Sequence, residues 1–472
     1  MKHYLLLLVS LFFYQTFFSQ VFDVETIKSS GDNDKRINLV ILSEGYQESE
    51  LDTFKSDAES LVTDMFAQSP FAEYSDFFNV HIIKVPSNES GADHPGTATD
   101  VTEPLNIPVI NVDTYFNATF DAFGFHRFLY YGIDYADAAS AEAKIISVLA
   151  DNFPTYDQAL LLVNTSEYGG TGGQFPISST TSNEISIHEL GHSMFNLKDE
   201  YLLPDVFYGE AKNMTQNSDP STIKWKNWLN DNGIGIYPYG NSGVPATWYK
   251  PRQVACKMEA LNNPFCAVCK EGMIEKIHEL LSVIDSYTPD NSSSIDNPTF
   301  PVEFTLTLIQ PNPNTLEPIW TLNGNNFGNN VDTVSVLETD LVEGSNTLTA
   351  VITDESPMLR LDTNNTVHVH TLTWMISYST LGIRDIEASK NNYTISLYPN
   401  PTNALVNLKV GTKSVASLKV EITSLDGKRL KLQQFSSNAK ETIDVSNLSS
   451  GIYVANVYDN NLLLTSRKLV KQ

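Results

Sequence analysis

The sequence predicts an α/β domain followed by two all-β sandwich domains. In the first part of the chain, short apolar runs typical of buried strands alternate with segments of helical periodicity, a pattern found in α/β proteins. Beyond about residue 297 the apolar residues recur at every second position, as they do in strands with one buried face. The length of 472 residues also exceeds one ordinary domain and favours about three.

Five segments define the α/β region. Residues 36–46, 79–85 and 158–163 are apolar runs rich in β-branched residues, which predicts buried strands. Residues 51–66 and 136–151 carry apolar side chains at helical spacing, which predicts two amphipathic helices. The alternation of these elements is the reason for expecting a sheet with helices packed on it.

The composition excludes one class of partner. A formal net charge of −26 and a pI near 4.6 argue against nucleic acid, because a nucleic-acid partner requires a basic surface. We interpret the charge as a solvated acidic surface that keeps the protein soluble.

The N-terminus predicts export. Residues 1–3 form a short basic start, residues 4–18 are almost wholly apolar, and polar sequence follows after Gln20. This is typical of a secretory signal peptide, residues 1–20, whose apolar core is too short for a membrane span. The alternative is an uncleaved anchor. No later stretch is long and apolar enough to cross a membrane, so we expect no membrane span.

The motif His188-Glu189-x-x-His192 is the centre of the predicted chemistry. On a helix the two histidines lie at i and i+4, so both imidazoles project from one face and can bind one Zn²⁺. Glu189 lies on the same turn, where its carboxylate can act as general base towards water. The alternative is a pair of core histidines with a solvated glutamate.

The third metal ligand is less constrained by spacing. In the long metzincin motif a histidine follows six positions after the second one, but this chain has Lys198 there. The carboxylates of Asp199 and Glu200 follow at once, and we expect Asp199 to be the ligand, with Glu200 as the runner-up. Tyr201 is expected to donate a hydrogen bond to the oxyanion of a tetrahedral intermediate, the alternative being a packed aromatic.

Several further residues are cleft candidates. The glycine-rich residues 164–173 lack the ending of a phosphate loop, so we expect them to let an edge strand approach a substrate backbone, or else to form a flexible hairpin. Met258 is a candidate for the methionine that metzincins place beneath the metal, or is a core methionine. Tyr249 and Arg252 are further candidates, whereas His94, in a polar loop, is expected to be solvated.

The three cysteines, Cys256, Cys266 and Cys269, lie close together in the sequence. An exported chain usually pairs its cysteines, but three cannot all pair. Either one disulfide forms and leaves a free thiol, or three thiolates bind a metal with a fourth ligand from elsewhere.

A group of segments resembles the IgA-specific metallopeptidase family. They are Ser43-Glu44-Gly45-Tyr46, Ser90-Gly91-Ala92-Asp93, Asn164 with Tyr168-Gly169-Gly170, His188 to Tyr201, and the Cys256-x-Met258 and Cys266-x-x-Cys269 cluster. The resemblance covers about residues 23–287 and implies a zincin-like, metzincin-like fold with zinc-dependent endopeptidase activity. It does not imply IgA as the substrate.

The last module resembles the C-terminal sorting domain of the type IX secretion system of Bacteroidetes. The segments that carry the resemblance are Tyr398-Pro399-Asn400-Pro401, Asp426-Gly427, Leu448-Ser449-Ser450-Gly451-Ile452-Tyr453 and the basic end of the chain. The resemblance implies export through the periplasm and the type IX machinery, then secretion or cell-surface attachment. The preceding β region looks like an immunoglobulin-type spacer at the level of fold.

These observations predict a signal peptide at residues 1–20, a zinc metallopeptidase domain at 21–289, an immunoglobulin-like β-sandwich at 297–378 and a sorting domain at 394–472. The expected function is a secreted endopeptidase acting on extracellular protein or peptide substrates. The alternatives are a catalytically silent adhesin or glycan-binding surface protein, and a zinc hydrolase that acts on bonds other than peptides.

Overall fold

A computed structural model of the chain describes residues 21–103, 107–202, 208–379, 394–411, 418–435, 440–459 and 462–472. The expected signal peptide, residues 1–20, lies outside the described residues. The chain divides into two compact units. The first contains residues up to 290 together with 303–335 and 348–373, and the second contains residues 291–302, 336–347 and 374–472.

The α/β region of the first unit contains most of the helical structure. Its strands and helices are, in chain order, β1 (Asp23–Lys28), β2 (Ile37–Glu44), α1 (Leu51–Phe66), β3 (Phe78–Lys84), β4 (Ala118–Thr119), β5 (Tyr130–Tyr131), α2 (Tyr135–Asn152), β6 (Gln158–Val163), β7 (Gly170–Thr171), β8 (Ile177–Ser179), α3 (Asn183–Ser193), β9 (Tyr237–Pro238), β10 (Tyr249–Lys250) and α4 (Ala267–Leu280).

A six-stranded sheet in the order β1-β3-β2-β6-β8-β7 forms the frame of this region. The four central strands β3, β2, β6 and β8 are parallel to one another, whereas the edge strands β1 and β7 are antiparallel to β3 and β8. All residues of β2 and β6 are buried, because helices and loops cover both faces of a parallel sheet. This explains why both strands are continuous apolar runs in the sequence.

Helices pack on the sheet as the periodicity predicts. The apolar side of α2, which includes Ile145 and Leu149, joins Val40, Leu42 and Leu161 in one hydrophobic core. Helix α1 contacts β2, β3 and α3, and none of its residues belongs to that core. Helix α3, which carries the His-Glu-x-x-His motif, lies beside β7 and β8, close to one edge of the sheet.

The remaining elements are almost entirely strands. They are β11 (Ile284–Thr288), β12 (Ile295–Asp296), β13 (Val302–Leu308), β14 (Leu316–Leu322), β15 (Asn325–Asn329), β16 (Thr333–Val336), β17 (Gly344–Asp354), β18 (Val369–Tyr378), β19 (Thr394–Tyr398), β20 (Leu405–Gly411), β21 (Leu418–Ser424), β22 (Arg429–Phe435), β23 (Lys440–Asp444), β24 (Gly451–Asp459) and β25 (Leu462–Lys471).

Antiparallel pairs dominate both units. In the first unit β14 lies between β15 and β17, and β11 pairs with β13. In the second unit a three-stranded sheet β19-β20-β23 and a four-stranded sheet β22-β21-β24-β25 share a hydrophobic core, as expected for a small sandwich. Trp320 in the first unit and Trp374 in the second are fully buried.

The fold agrees with the sequence at the coarse level. An α/β region followed by a strand-rich C-terminal region is confirmed, whereas the three domain boundaries remain a prediction. Helix α4 ends at Leu280, because Leu281 has an extended backbone. Within the described residues, no helix combines the length and the apolar character that a membrane crossing requires.

Candidate metal centre

Helix α3 carries the two histidines of the motif. Buried Ile185, Ile187 and Leu190 fasten the helix to the protein, so its position is set by packing. His188 and His192 lie one turn apart on the same side of the helix. Their imidazole rings are 4.9 Å apart between centroids and nearly perpendicular.

The chain reverses directly after α3. Asn196 has a left-handed backbone, with φ of 52°, which asparagine tolerates better than most residues. The backbone N–H of Leu197 then donates to the carbonyl of Gly191 at 2.9 Å, a bond typical of a helix C-terminus. The reversal carries Asp199 back to the face of the helix that holds the histidines.

Three ligand atoms converge at this point. Nε2 of His188 and Nε2 of His192 are 3.2 Å apart, and Oδ1 of Asp199 lies 3.2 Å from the first and 3.1 Å from the second. A tetrahedral zinc with bonds of about 2.0–2.1 Å places its ligand atoms about 3.3 Å apart. The three atoms therefore form one face of such a tetrahedron, and these residues fit a zinc ion with one position open to the cleft.

Backbone carbonyls orient both imidazoles. Nδ1 of His188 lies 3.0 Å from the carbonyl of Lys257, and Nδ1 of His192 lies 2.8 Å from the carbonyl of Leu197. A carbonyl only accepts hydrogen bonds, so each Nδ1 carries a proton and each Nε2 is directed at the metal position. The side chain of Lys257 is buried and forms an ion pair with Glu184, which holds the backbone of Lys257, and with it the carbonyl, in place.

The electrostatics of the triad favour an ionised carboxylate. Burial would raise the pKa of Asp199, but hydrogen bonds from His188 and His192 outweigh burial and hold it well below its usual range. Burial would lower the pKa of His192, but its hydrogen bond to Asp199 and the charges of Asp199 and Glu189 raise it to about 9. Without a metal the centre therefore holds a proton that a cation can replace.

Glu189 faces the cleft from the same helix. Burial raises the pKa of its carboxyl, and the nearby Asp199 adds to this, while the two histidines oppose it. The cleft is narrow beside it, since a side-chain carbon at Gly172 would come within 2.7 Å of Oε2 of Glu189. The carboxylate is thus placed to exchange a proton with a small molecule such as water between it and the metal position.

Tyr201 lies at the mouth of the centre. Its side chain is 36% exposed, and its ring lies 6.5 Å from that of His188 between centroids. Burial, together with the charges of Asp199 and Glu189, raises the pKa of its hydroxyl well above the usual value. The phenol therefore stays protonated at neutral pH and can donate a hydrogen bond.

Two adjoining cavities form the cleft. One, of about 340 Å³, is lined by residues that include Gly172, Glu189, His192, Asp199 and Tyr201. The other, of about 290 Å³, shares with the first Phe128, Gly170, Glu189 and Tyr201. Strand β7 lies at the sheet edge along both, so the glycine-rich segment takes the position expected of it, beside the metal position.

The structure separates Glu200 from the metal position. Its side chain is fully buried, and Oε1 accepts a hydrogen bond from Asn213 at 3.0 Å and lies 3.4 Å from Sγ of Cys269. Asp199 and Glu200 are neighbours in the chain, but their carboxylates belong to two different groups of side chains. The runner-up for the third ligand thus belongs to a different cluster.

The other sequence candidates fall into two groups. Met258 is fully buried, and its sulfur packs closely against α3 at Gly191. A side-chain carbon added at Gly191 would come within 2.9 Å of this sulfur. Tyr249 and Arg252 line neither of the two cavities described above. The expectation of a solvated His94 is wrong, because His94 is buried and its Nδ1 lies 2.9 Å from Glu167.

One wall of the cleft, formed by Arg127 and Phe128, has no recognisable signal in the sequence. Phe128 lines both cavities, and Arg127 packs over the ring of Tyr168, 5.4 Å from its centroid. These residues follow a loop with no recognisable motif, so no spacing in the sequence marks them.

Comparison with protein families identifies two regions. Residues 25–243 match the family model described as IgA Peptidase M64, and residues 396–472 match the one described as Secretion system C-terminal sorting domain. These matches confirm both resemblances and together indicate a secreted metallopeptidase. The sorting domain indicates export, with either secretion or attachment to the cell surface.

Solved structures add little to this. The chain is 14% identical to dimeric latent PorU from Porphyromonas gingivalis over 40% of this chain and 20% of that one, with a TM-score of 0.15. It is 15% identical to β-glucuronidase from Parabacteroides merdae over 49% of this chain and 28% of that one, with a TM-score of 0.16. Such scores carry no argument about fold or function. Among curated proteins, none is significantly similar to the chain.

Proposed function

We propose that the protein is a secreted zinc-dependent endopeptidase that hydrolyses peptide bonds in extracellular proteins. The observation that carries this proposal is the convergence of three ligand atoms, from His188, His192 and Asp199, within 3.2 Å of one another beside the carboxylate of Glu189. Such a set leaves one side open, as hydrolytic zinc sites require.

Each residue of the centre has a distinct role in this proposal. Zinc, when bound by the two histidines and Asp199, supplies a Lewis acid that makes water a nucleophile at neutral pH. Glu189 takes the proton from the attacking water and later delivers it to the leaving amine. Tyr201 donates its hydroxyl hydrogen to the oxygen that becomes negatively charged as the carbonyl carbon turns tetrahedral.

The edge strand β7 accounts for a peptide substrate. Gly170 and Thr171 pair with β8 on one side; on the other side the N–H of Gly170 donates to the carbonyl of Arg127 at 3.4 Å, and Thr171 lines the cleft. An extended peptide can add to such an edge through backbone hydrogen bonds. Glycine at position 172 removes a side chain that would stand beside Glu189, and glycine at position 170 lets the strand pack closely against Ile185.

We further infer that the α/β region has a zincin-like fold and that domains at 21–289, 297–378 and 394–472 follow the signal peptide. The family match over residues 25–243 and the zinc-motif helix beside an edge strand support this. The description of the matching family refers to IgA, whereas this proposal covers extracellular proteins that can present an extended segment to the cleft.

The test is a single isosteric substitution. Glu189→Gln should keep the wild-type zinc content and lower the rate of casein cleavage by about 100- to 10 000-fold, because the metal ligands remain while the base is lost. Glu279→Gln, at the exposed end of α4, is the matched control and should cleave at the wild-type rate.

Two results would overturn the proposal. One is wild-type protein without zinc, and the other is a Glu189→Gln variant that cleaves as fast as wild type. A wild-type protein that neither binds zinc nor cleaves peptides would instead favour the catalytically silent adhesin.

A further inference from the structure

Four buried side chains meet in a second cluster, on the far side of the segment that carries Asp199. They are Glu200, Cys256, Cys266 and Cys269, which we call the Cys–Glu cluster. Their exposed fractions are between 0% and 2%, so the cluster is closed to solvent. One potential ligand atom from each lies within 4.8 Å of all the others.

The distances within the cluster match a tetrahedral metal site. Sγ of Cys269 lies 3.7 Å from Sγ of Cys256 and 3.6 Å from Sγ of Cys266. It also lies 3.4 Å from Oε1 of Glu200. A tetrahedral zinc with Zn–S bonds of about 2.3 Å and a Zn–O bond of about 2.0 Å places sulfurs about 3.8 Å apart and a sulfur and an oxygen about 3.5 Å apart.

A disulfide explains these positions less well. It brings two sulfurs to about 2.0 Å, and it would leave one thiol and one carboxylate buried beside it. Cys269 instead lies at similar distances from both other cysteines. Oε2 of Glu200 has no hydrogen-bond partner among the described residues, although it is buried, and an anion in that position requires a partner.

The local backbone also suits metal binding. Cys266 occupies the N-cap position of α4 and Cys269 lies within its first turn, so the Cys-x-x-Cys spacing brings both sulfurs to the same side of the helix start. Cys256 comes from the preceding loop and Glu200 from the segment after the zinc helix. Three separate parts of the chain thus supply the four ligands, an arrangement typical of structural zinc sites.

We propose that the Cys–Glu cluster binds a second zinc ion, with Glu200 and the three cysteines as its ligands. All four positions come from the protein and none opens to the cleft, so this ion has a structural rather than a catalytic role. This proposal does not depend on the proposed peptidase activity, because it is based only on the four ligands and the distances between them.

The cluster is joined to the catalytic centre through the backbone. Glu200 follows Asp199 directly, and its backbone N–H donates to the carbonyl of Met258 at 2.7 Å. Cys256 is one residue away from Lys257, whose carbonyl lies 3.0 Å from Nδ1 of His188. A metal bound by both Glu200 and Cys256 would therefore fix the segment that carries Asp199 and the segment whose carbonyl orients His188.

The zinc content of the purified full chain tests the proposal. We expect two zinc ions per wild-type chain and one in His192→Ala, which loses only the catalytic site. Cys269→Ser should also contain one zinc ion per chain, in this case the one at the catalytic centre. If wild type contains one ion that disappears in His192→Ala, the second site does not exist, and the proposed peptidase activity is unaffected by that result.

A second measurement avoids the risk that Cys269→Ser fails to fold. The His192→Ala variant lacks the complete catalytic centre, and cobalt bound at its Cys–Glu cluster should give an intense near-ultraviolet charge-transfer band from the thiolate ligands, which a site without cysteine cannot give. In denaturant without reductant, wild-type protein should have three alkylatable thiols. A missing band together with a single reactive thiol would show a disulfide and overturn the proposal.

Discussion

The carboxylate of Asp199 lies 3.1 Å from Nε2 of His192. The carboxylate of the next residue, Glu200, lies 3.4 Å from the sulfur of Cys269, on the other side of the same segment. Two adjacent acidic residues therefore contribute to two different clusters. This division makes the two carboxylates separately testable.

Asp199→Ala should remove zinc from the catalytic centre, since two histidines alone leave the site one ligand short. Casein cleavage should fall by more than about 100-fold, which exceeds the usual effect of losing a residue that only orients a ligand. Zinc analysis and initial rates measure both effects, and Asp52→Asn, at an exposed helix start, is the control. If Asp199→Ala cleaves casein at the wild-type rate, Asp199 is not a zinc ligand.

Tyr201→Phe should lower kcat by about 100-fold and change KM little, because the hydroxyl acts only as charge develops on the substrate oxygen. Zinc content should stay at the wild-type value, as the hydroxyl is outside the three-ligand set. Tyr249→Phe, a tyrosine that lines neither cavity, serves as the control. An effect on KM alone would show that Tyr201 only binds substrate.

Zinc affinity of the catalytic centre should depend on pH. In the metal-free protein the pKa of His192 is about 9, so the ring is protonated at neutral pH and must lose a proton before it binds zinc. Affinity should therefore rise about tenfold for each pH unit up to that pKa and then level off. Competition with a chromophoric chelator, carried out on Cys269→Ser so that only the catalytic centre binds zinc, measures this. A flat profile between neutral pH and the pKa would contradict it.

Asp354→Ala should destabilise the first unit. The buried Asp354 carboxylate accepts hydrogen bonds from Tyr74 at 2.6 Å, Thr315 at 2.6 Å, His278 at 2.9 Å and the backbone of Ser356 at 3.0 Å. Removing it leaves these donors buried and should cost about 3–5 kcal/mol in the free energy of unfolding. Urea denaturation measures the loss, and Asp332→Ala, at an exposed position, should cost far less.

The effect of Asp354 should also vary with pH in a defined direction. Burial would raise its pKa, but hydrogen bonds from His278, Thr315 and Tyr74 outweigh burial and lower it. A lowered pKa in the folded state adds stability above the ordinary value of about 4, and this is lost as pH falls through the folded pKa. The difference between wild type and Asp354→Ala should therefore shrink in acid, and a constant difference would contradict the assignment.

Local patterns in the sequence were sufficient for much of the first unit. Apolar runs predict β2, β3 and β6 because a parallel sheet buries both faces of its central strands. The spacing of His188 and His192 predicts their common direction, since a helix has one regular period. The family matches at residues 25–243 and 396–472 rest on the same kind of local information.

Residues outside regular elements could not be placed in this way. Loops have no period, so the spacing of Asp199 and Glu200 after His192 leaves the third ligand open. The left-handed turn at Asn196 and the packing of the following segment against Met258 bring Asp199 to the histidines and Glu200 to three cysteines. The cluster of Glu200 with the three cysteines combines segments that are distant in the chain, and such contacts form only when the sheet and helices have packed.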